Sequence, residues 1–181
     1  MSFHLPVLLD STIDGLNIKP NGIYVDLTYG GGGHSKAILS KLKNGKLFAF
    51  DQDLDTLSNK IEDNRLTFIN QNFKYVKKFL KLYGVEKVDG VLGDLGVSSY
   101  HFDKSSRGFS TRFDGDLDMR MNQSQSHTAK DVVNDYCIKD LTLLFKKYGE
   151  LKNASSISNS IDVFRSEKSI STTNDLKEAV K

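Results

Sequence analysis

A chain of 181 residues with net charge +2 and 38% hydrophobic residues has the length of one domain or one and a fraction, and enough apolar content for a core. The charge is too close to neutral for an overall field to force a nucleic-acid partner, and Cys137, the single cysteine, excludes a disulfide framework or a cysteine-held metal. His4, His34, His101 and His127 lack ligand spacing, so no structural metal is expected; no run suits a bilayer span or a signal peptide, so a reducing, cytoplasmic setting without membrane contact is expected.

Leu9, Ile13 and Leu16 recur at helical spacing and predict an opening helix, which Pro20-Asn21-Gly22 ends. Ile23 to Thr28 reads as the first strand. After a run of glycines, His34 to Lys43 reads as a helix burying Ala37, Ile38 and Leu42. Asn44-Gly45 breaks it, and Lys46 to Asp51 is the second strand. Leu54 to Asp63 reads as a polar helix and LTFIN as the third strand. Phe73, Val76, Leu80 and Tyr83 predict another helix, on which Lys74, Lys77, Lys78 and Lys81 read as a solvated face. Val88 to Leu95 is the fourth strand, apolar on both faces apart from its acids. This alternation predicts a parallel, doubly wound α/β sheet, whose ligand sits beyond the carboxyl ends of the strands. Asp26, Asp51 and Asp94 all fall at or near that edge. Beyond Arg112 no clear strand recurs. Asp131–Tyr136, Leu141–Tyr148, Ala154–Phe164 and Asn174–Val180 read as short helices, and NQSQSHT as a flexible linker. A boundary is placed within 111–125: residues 1–111 form a Rossmann-like part and 112–181 a helical part.

The chemistry begins in IYVDLTYGGGGH, a β-rich run ending in an acid and four glycines, followed by FDQD at the end of the next strand. A strand, a glycine turn and a helix start let backbone N–H groups approach a ligand closely. An acid ending the next strand is placed to hold two ribose hydroxyls. A nucleoside-containing cofactor is therefore expected. Reading G-x-G-x-x-G/A from Gly30 puts Ser35 in the third position, which disfavours a dinucleotide; the absence of Gly-Lys-Ser/Thr excludes a P-loop. An S-adenosylmethionine pocket tolerates this spacing. The plain alternative is a surface turn with no ligand.

Five stretches, HLPVLL, VDLTYGGGGHS, FDQD, DGVLGDLGVSS and RGFSTRFDGDLDMRMN, together resemble the bacterial 16S ribosomal RNA (cytosine-N4)-methyltransferase family. The resemblance covers nearly the whole chain. It implies a class I S-adenosylmethionine-dependent methyltransferase fold with a helical domain inserted after the fourth strand. Its substrate would be a cytidine in the decoding region of small-subunit ribosomal RNA, within the assembled 30S subunit. Residue by residue, the resemblance puts Gly32, Gly33 and His34 at the cofactor's amino-acid end, Asp51 on the ribose and Phe73 beside the adenine. Asp94 opens the loop at the reactive edge. His101 stands where the family usually has glutamine, and an imidazole can still donate a hydrogen bond. Members of the family run on further, with a stretch of SFHSLEDR type that is absent here, so the chain is expected to be an N-terminal portion.

The exocyclic N4 of cytosine is a weak nucleophile because its lone pair is delocalised into the ring, and an acceptor on its hydrogens together with close positioning eases transfer. Asp94 is the candidate acceptor; alternatively it binds cofactor or caps a turn. Asp51 has an alternative role as a helix cap, for which Asp53 is better placed. Arg107 contacts either a substrate phosphate or Asp116 or Asp118 within its own loop. Phe109 either stacks on a base or anchors the loop. Two further readings of the whole remain beside the methyltransferase: a non-catalytic relative that binds RNA or a protein partner, and an NAD-dependent oxidoreductase.

Overall fold

The computed structural model describes residues 6–181; His4 and Leu5 of the HLPVLL stretch lie outside the described residues. The chain divides into two compact units, Met1–Gly96 and Val97–Lys181, so this division falls earlier than the boundary expected near residue 111.

In the first unit, helix α1 (Leu9–Gly15) precedes strand β1 (Ile23–Asp26), helix α2 (Gly33–Lys41) and strand β2 (Lys46–Phe50). Strand β3 (Leu66–Ile69), helix α3 (Val76–Leu82) and strand β4 (Gly90–Leu92) follow. All strand pairs are parallel, in the order β3-β2-β1-β4. Strand alternation sends residues to opposite faces of the sheet. Tyr24, Leu47 and Leu92 pack with Ile13, Ile38, Leu39 and Leu42 on one side. Val25, Phe48, Phe50 and Ile69 pack with Val76, Phe79 and Leu80 on the other. Both faces are therefore covered, as parallel sheets require.

Two elements differ from expectation. Leu54–Asn59 is a 3-10 turn rather than an α-helix, because it carries too few apolar residues to pay for burial of a longer helix. Strand β4 has three residues rather than the span from Val88 to Leu95, and Val91 is 52% exposed. Among the described residues β4 pairs with β1 alone and is an edge strand of the sheet.

In the second unit α4 (Ser99–Asp103) and a 3-10 turn at Ser105–Arg107 lead into a long loop. Four helices follow: α5 (Ala129–Asp135), α6 (Ile138–Gly149), α7 (Ala154–Glu167) and α8 (Thr173–Ala179). Leu117, Val133, Leu141, Ile161, Ile170 and Ala179 form their shared core. The loop belongs with these helices: Leu117 N–H donates to Ser171 O, Lys130 N–H to Leu117 O and Thr173 N–H to Gly115 O. The polar stretch 122–128 is folded rather than a linker. Asn122 Oδ1 accepts from Ser124 N–H and Oγ–H, and Thr128 shares a capping box with Asp131.

Candidate functional site

The glycine turn is built by the end of β1. Tyr29 N–H still pairs with Phe50 O across the sheet, and Gly32 N–H then donates to Tyr29 O at 2.8 Å, closing a tight turn. Gly32 has φ +77°, a region that side chains rarely adopt. A Cβ there would also stand 2.8 Å from the Tyr29 hydroxyl. That hydroxyl is immobile: it donates to Asn59 O and accepts from Ile61 N–H. Gly32 is the N-cap of α2 and offers no side chain, so the first-turn N–H groups are not capped by the residue that precedes them. A Cβ on Gly33 would run into the Pro6 ring.

Asp51 follows directly on β2. Its Oδ2 accepts from Gly30 N–H at 2.8 Å and its Oδ1 from Asp53 N–H at 2.9 Å. The carboxylate thus locks the glycine turn to the end of the second strand. Capping is the work of Asp53, which accepts from Asp55 N–H. Phe73 is 37% exposed on the next rim segment. Asn70 and Asn72 hold that segment to β2's end: Asn70 Nδ2 donates to Asp51 O, and Asn72 Nδ2 to Gln52 Oε1.

Asp26 was legible only as an edge acid, and the structure gives it a larger part. It is wholly buried, accepting from the Ser35 hydroxyl at 2.7 Å and from Thr28 N–H at 3.0 Å. Burial pushes its pKa up, against the hydrogen bonds from Ser35 and Thr28. Thr28 Oγ1 in turn accepts from Asp94 N–H at 2.8 Å. One carboxylate therefore ties β1 to the first turn of α2 and, through Thr28, to the loop after β4. The Asp94 side chain points outward, 63% exposed, with its Oδ2 at 3.9 Å from His34 Nδ1. His34 is buried, and its Nε2 has no hydrogen-bond partner among the described residues. Gly30 to His34, Asp51, Phe73 and Asp94 are thus gathered at the carboxyl edge of the sheet.

His101, Arg107 and Phe109 lie in the helical unit. His101 is buried; its Nδ1 faces Ser98 N–H at 3.1 Å and Ser98 Oγ at 2.9 Å, completing a capping box on α4. Accepting from that amide leaves the ring proton of a neutral imidazole on Nε2. Phe109 is half-buried with its ring 5.3 Å from that of His101, edge to face. Arg107 is wholly buried and donates to Arg120 O at 3.0 Å. That bond ties Arg107 to the main chain of its own loop. The residue paired with Asp118 is Arg120, which holds the Asp118 carboxyl below its usual range. Gly108, at φ +74°, lets the loop double back against Asp116 O.

Among the described residues no cluster of three or more His, Cys, Asp or Glu is placed to hold a metal, and no helix is long and apolar enough to cross a membrane.

A parallel 3-2-1-4 sheet covered on both faces, with a glycine turn after its first strand, is the incomplete Rossmann-like fold of a class I methyltransferase. The chain belongs to the MraW methylase family, whose model matches residues 1–181. It is 57% identical over 182 residues to a protein of Flavobacterium johnsoniae, covering 100% of this chain and 60% of that one. It is 55% identical over 182 residues to a protein of Christiangramia forsetii, with the same two shares, 100% and 60%. A protein of Phocaeicola vulgatus is 53% identical over 180 residues, 99% of this chain and 59% of its own. All three are named ribosomal RNA small subunit methyltransferase H. The chain spans about 60% of the length of these curated relatives.

Proposed function

We propose that this chain supplies the S-adenosylmethionine site, and part of the RNA-recognition region, of a methyltransferase acting on N4 of a cytidine in the decoding region of small-subunit ribosomal RNA. The setting is cytoplasmic and the substrate the assembled 30S subunit. The observation that carries the reading is the Gly30–Asp51 bond, 2.8 Å, which fuses a glycine turn and a strand-end acid into one nucleoside-shaped receptor in a chain of the MraW methylase family.

The residues suit such a cofactor. A Cβ on Gly32 would strike the Tyr29 hydroxyl, so the turn stays bare backbone there, the buried His34 Nε2 lacks a partner among the described residues, and Asp51 is a strand-end acid of the type that accepts from ribose hydroxyls. Gly32, Gly33 and His34 would hold the amino-acid end, Asp51 the ribose, and Phe73 the adenine. When bound, the cofactor supplies an electrophilic methyl group on sulfur. The exposed Asp94 carboxylate accepts a hydrogen bond from the cytosine amino group, which localises the N4 lone pair for in-line approach, and takes up the proton that N4 loses on gaining the methyl group. Phe109 offers a ring face edge to a base, and Arg107 acts by shaping its loop. The Ser at the third fingerprint position favours this reading over a dinucleotide oxidoreductase, whose sheet shares the 3-2-1-4 order.

The test is methyl transfer from labelled S-adenosylmethionine to small-subunit RNA and to 30S subunits, with N4-methylcytidine read by mass spectrometry of digested RNA. Label at N4, lost in Asp94→Asn, is the expected result. Label on another atom overturns the N4 assignment. An Asp94→Asn protein with unchanged cofactor affinity and unchanged turnover removes Asp94 from the chemistry.

A further inference from the structure

The segment from Asn64 to Val85 contains Arg65, Lys74, Lys77, Lys78 and Lys81 and no acidic residue. The four lysines are exposed, and none forms an ion pair among the described residues. The 3-10 turn at Phe73–Tyr75 and α3 place them in one stripe. Lys74 with Lys78 and Lys77 with Lys81 stand four residues apart; Lys74 with Lys77 and Lys78 with Lys81 stand three apart. Such like-charged neighbours destabilise a helix. No acid in the first turn of α3 offsets them. The opposite face of α3, Val76, Phe79 and Leu80, is packed on the sheet, so the stripe faces outward. Aromatic rings border it: Tyr75 is 42% and Tyr83 51% exposed, and Lys74 Nζ sits 4.9 Å above the Tyr75 ring. A seven-residue helix that concentrates uncompensated positive charge between exposed rings is unfavourable alone and favourable against a polyanion.

We infer that this stripe is a contact for RNA backbone phosphates, separate from the cofactor receptor. The inference rests on the RNA-methyltransferase reading for its choice of polyanion. A duplex backbone fits the geometry: Lys74 and Lys81 are about 10 Å apart along the helix axis, so the ammonium groups reach successive phosphates. Such contacts position without reading sequence, which suits a surface whose lysines carry no fixed hydrogen-bond geometry of their own.

The experiment is fluorescence anisotropy of a labelled RNA hairpin of arbitrary sequence, titrated with the 181-residue chain across a salt series. The variant replaces Lys74, Lys77, Lys78 and Lys81 with Gln; a second replaces Lys139, Lys146, Lys147 and Lys152, an equal number of charges in the helical unit. The first is expected to lose about tenfold or more in affinity and to lower the salt slope by about 3. Its thermal midpoint should be equal to or above the wild type's, because repulsion is relieved. Equal affinity and slope in wild type and the α3 variant overturn the inference, as does equal loss in the control variant. Wild-type chain that binds phosphatidylserine vesicles through these lysines and not the hairpin also overturns it. Calorimetric titration of S-adenosylmethionine on the same proteins separates the two claims. Loss of RNA binding with cofactor binding intact supports the stripe; RNA binding through the stripe with no cofactor binding supports it and counts against the methyltransferase reading.

Discussion

Asp26 offers the sharpest perturbation of the site's framework. Its buried carboxylate satisfies Thr28 N–H and the Ser35 hydroxyl. Asp26→Ala leaves both donors without an acceptor, at about 1–3 kcal/mol each. Removing a buried negative charge returns part of that cost, so the net loss is about 2–4 kcal/mol. Asp26→Asn retains an acceptor for Thr28 N–H and offers an NH₂ to the Ser35 oxygen, and its loss stays below about 1 kcal/mol. The pH dependence has a definite sign. Burial raises the folded pKa of Asp26, so its contribution to stability is complete below the unfolded value of about 3.9 and is lost as pH rises through the folded value. Asn has no such loss, so Asp26→Asn should gain on the wild type from about pH 4 to neutrality. Urea denaturation followed by circular dichroism measures all three. An Ala variant with the wild-type midpoint, or an Asn variant as damaged as Ala, would refute the reasoning.

Gly32→Ala imposes a left-handed conformation on a side chain, costing about 1–2 kcal/mol, and drives a Cβ to 2.8 Å from the locked Tyr29 hydroxyl. Scanning calorimetry should show a lowered midpoint, together with weakened cofactor affinity; an unchanged midpoint contradicts the geometry. In the helical unit, Asp175 accepts from Lys168, Ser171 N–H and Thr172 N–H, and the Lys168 hydrogen bond leads the causes that hold its carboxyl down at about 2. Its stabilisation is therefore present above the unfolded pKa of about 3.9 and is lost as pH falls toward about 2. Asp175→Asn should lower the thermal midpoint at neutral pH, and the gap should close as acid protonates the wild type. A gap that persists in acid would assign the effect to shape rather than charge.

Much of the sheet was legible because apolar residues in β1, β2 and β3 sit in short runs between turn residues, and the helical unit because Leu141, Ile161 and their neighbours recur at helical spacing. Helix starts were displaced where a threonine caps. Thr128 and Thr172 each bond the N–H of an Asp three residues on, so α5 and α8 begin at Ala129 and Thr173, ahead of the first apolar signal. Strand β4 was read too long because apolar residues alone do not distinguish a strand from an exposed segment such as that at Leu95, which is 70% exposed. At the site, the glycines and Asp51 are visible as residue types in order. The part played by Ser35 and Thr28 was not, since their hydroxyls acquire meaning only when β1, α2 and the loop after β4 meet around Asp26. Arg107 is a further case: its sequence offered a phosphate or a carboxylate of its own loop as partner, and nothing there marked the Arg120 carbonyl to which the buried guanidinium donates.

The central claim is a nucleoside receptor made by Asp51 and the glycine turn, and calorimetric titration of the chain with S-adenosylmethionine tests it most directly, with NAD as comparator and Asp51→Ala as control. The account predicts binding of S-adenosylmethionine and not of NAD, with affinity lost in Asp51→Ala. Binding of NAD in its place, or S-adenosylmethionine binding that is indifferent to Asp51→Ala, would contradict it.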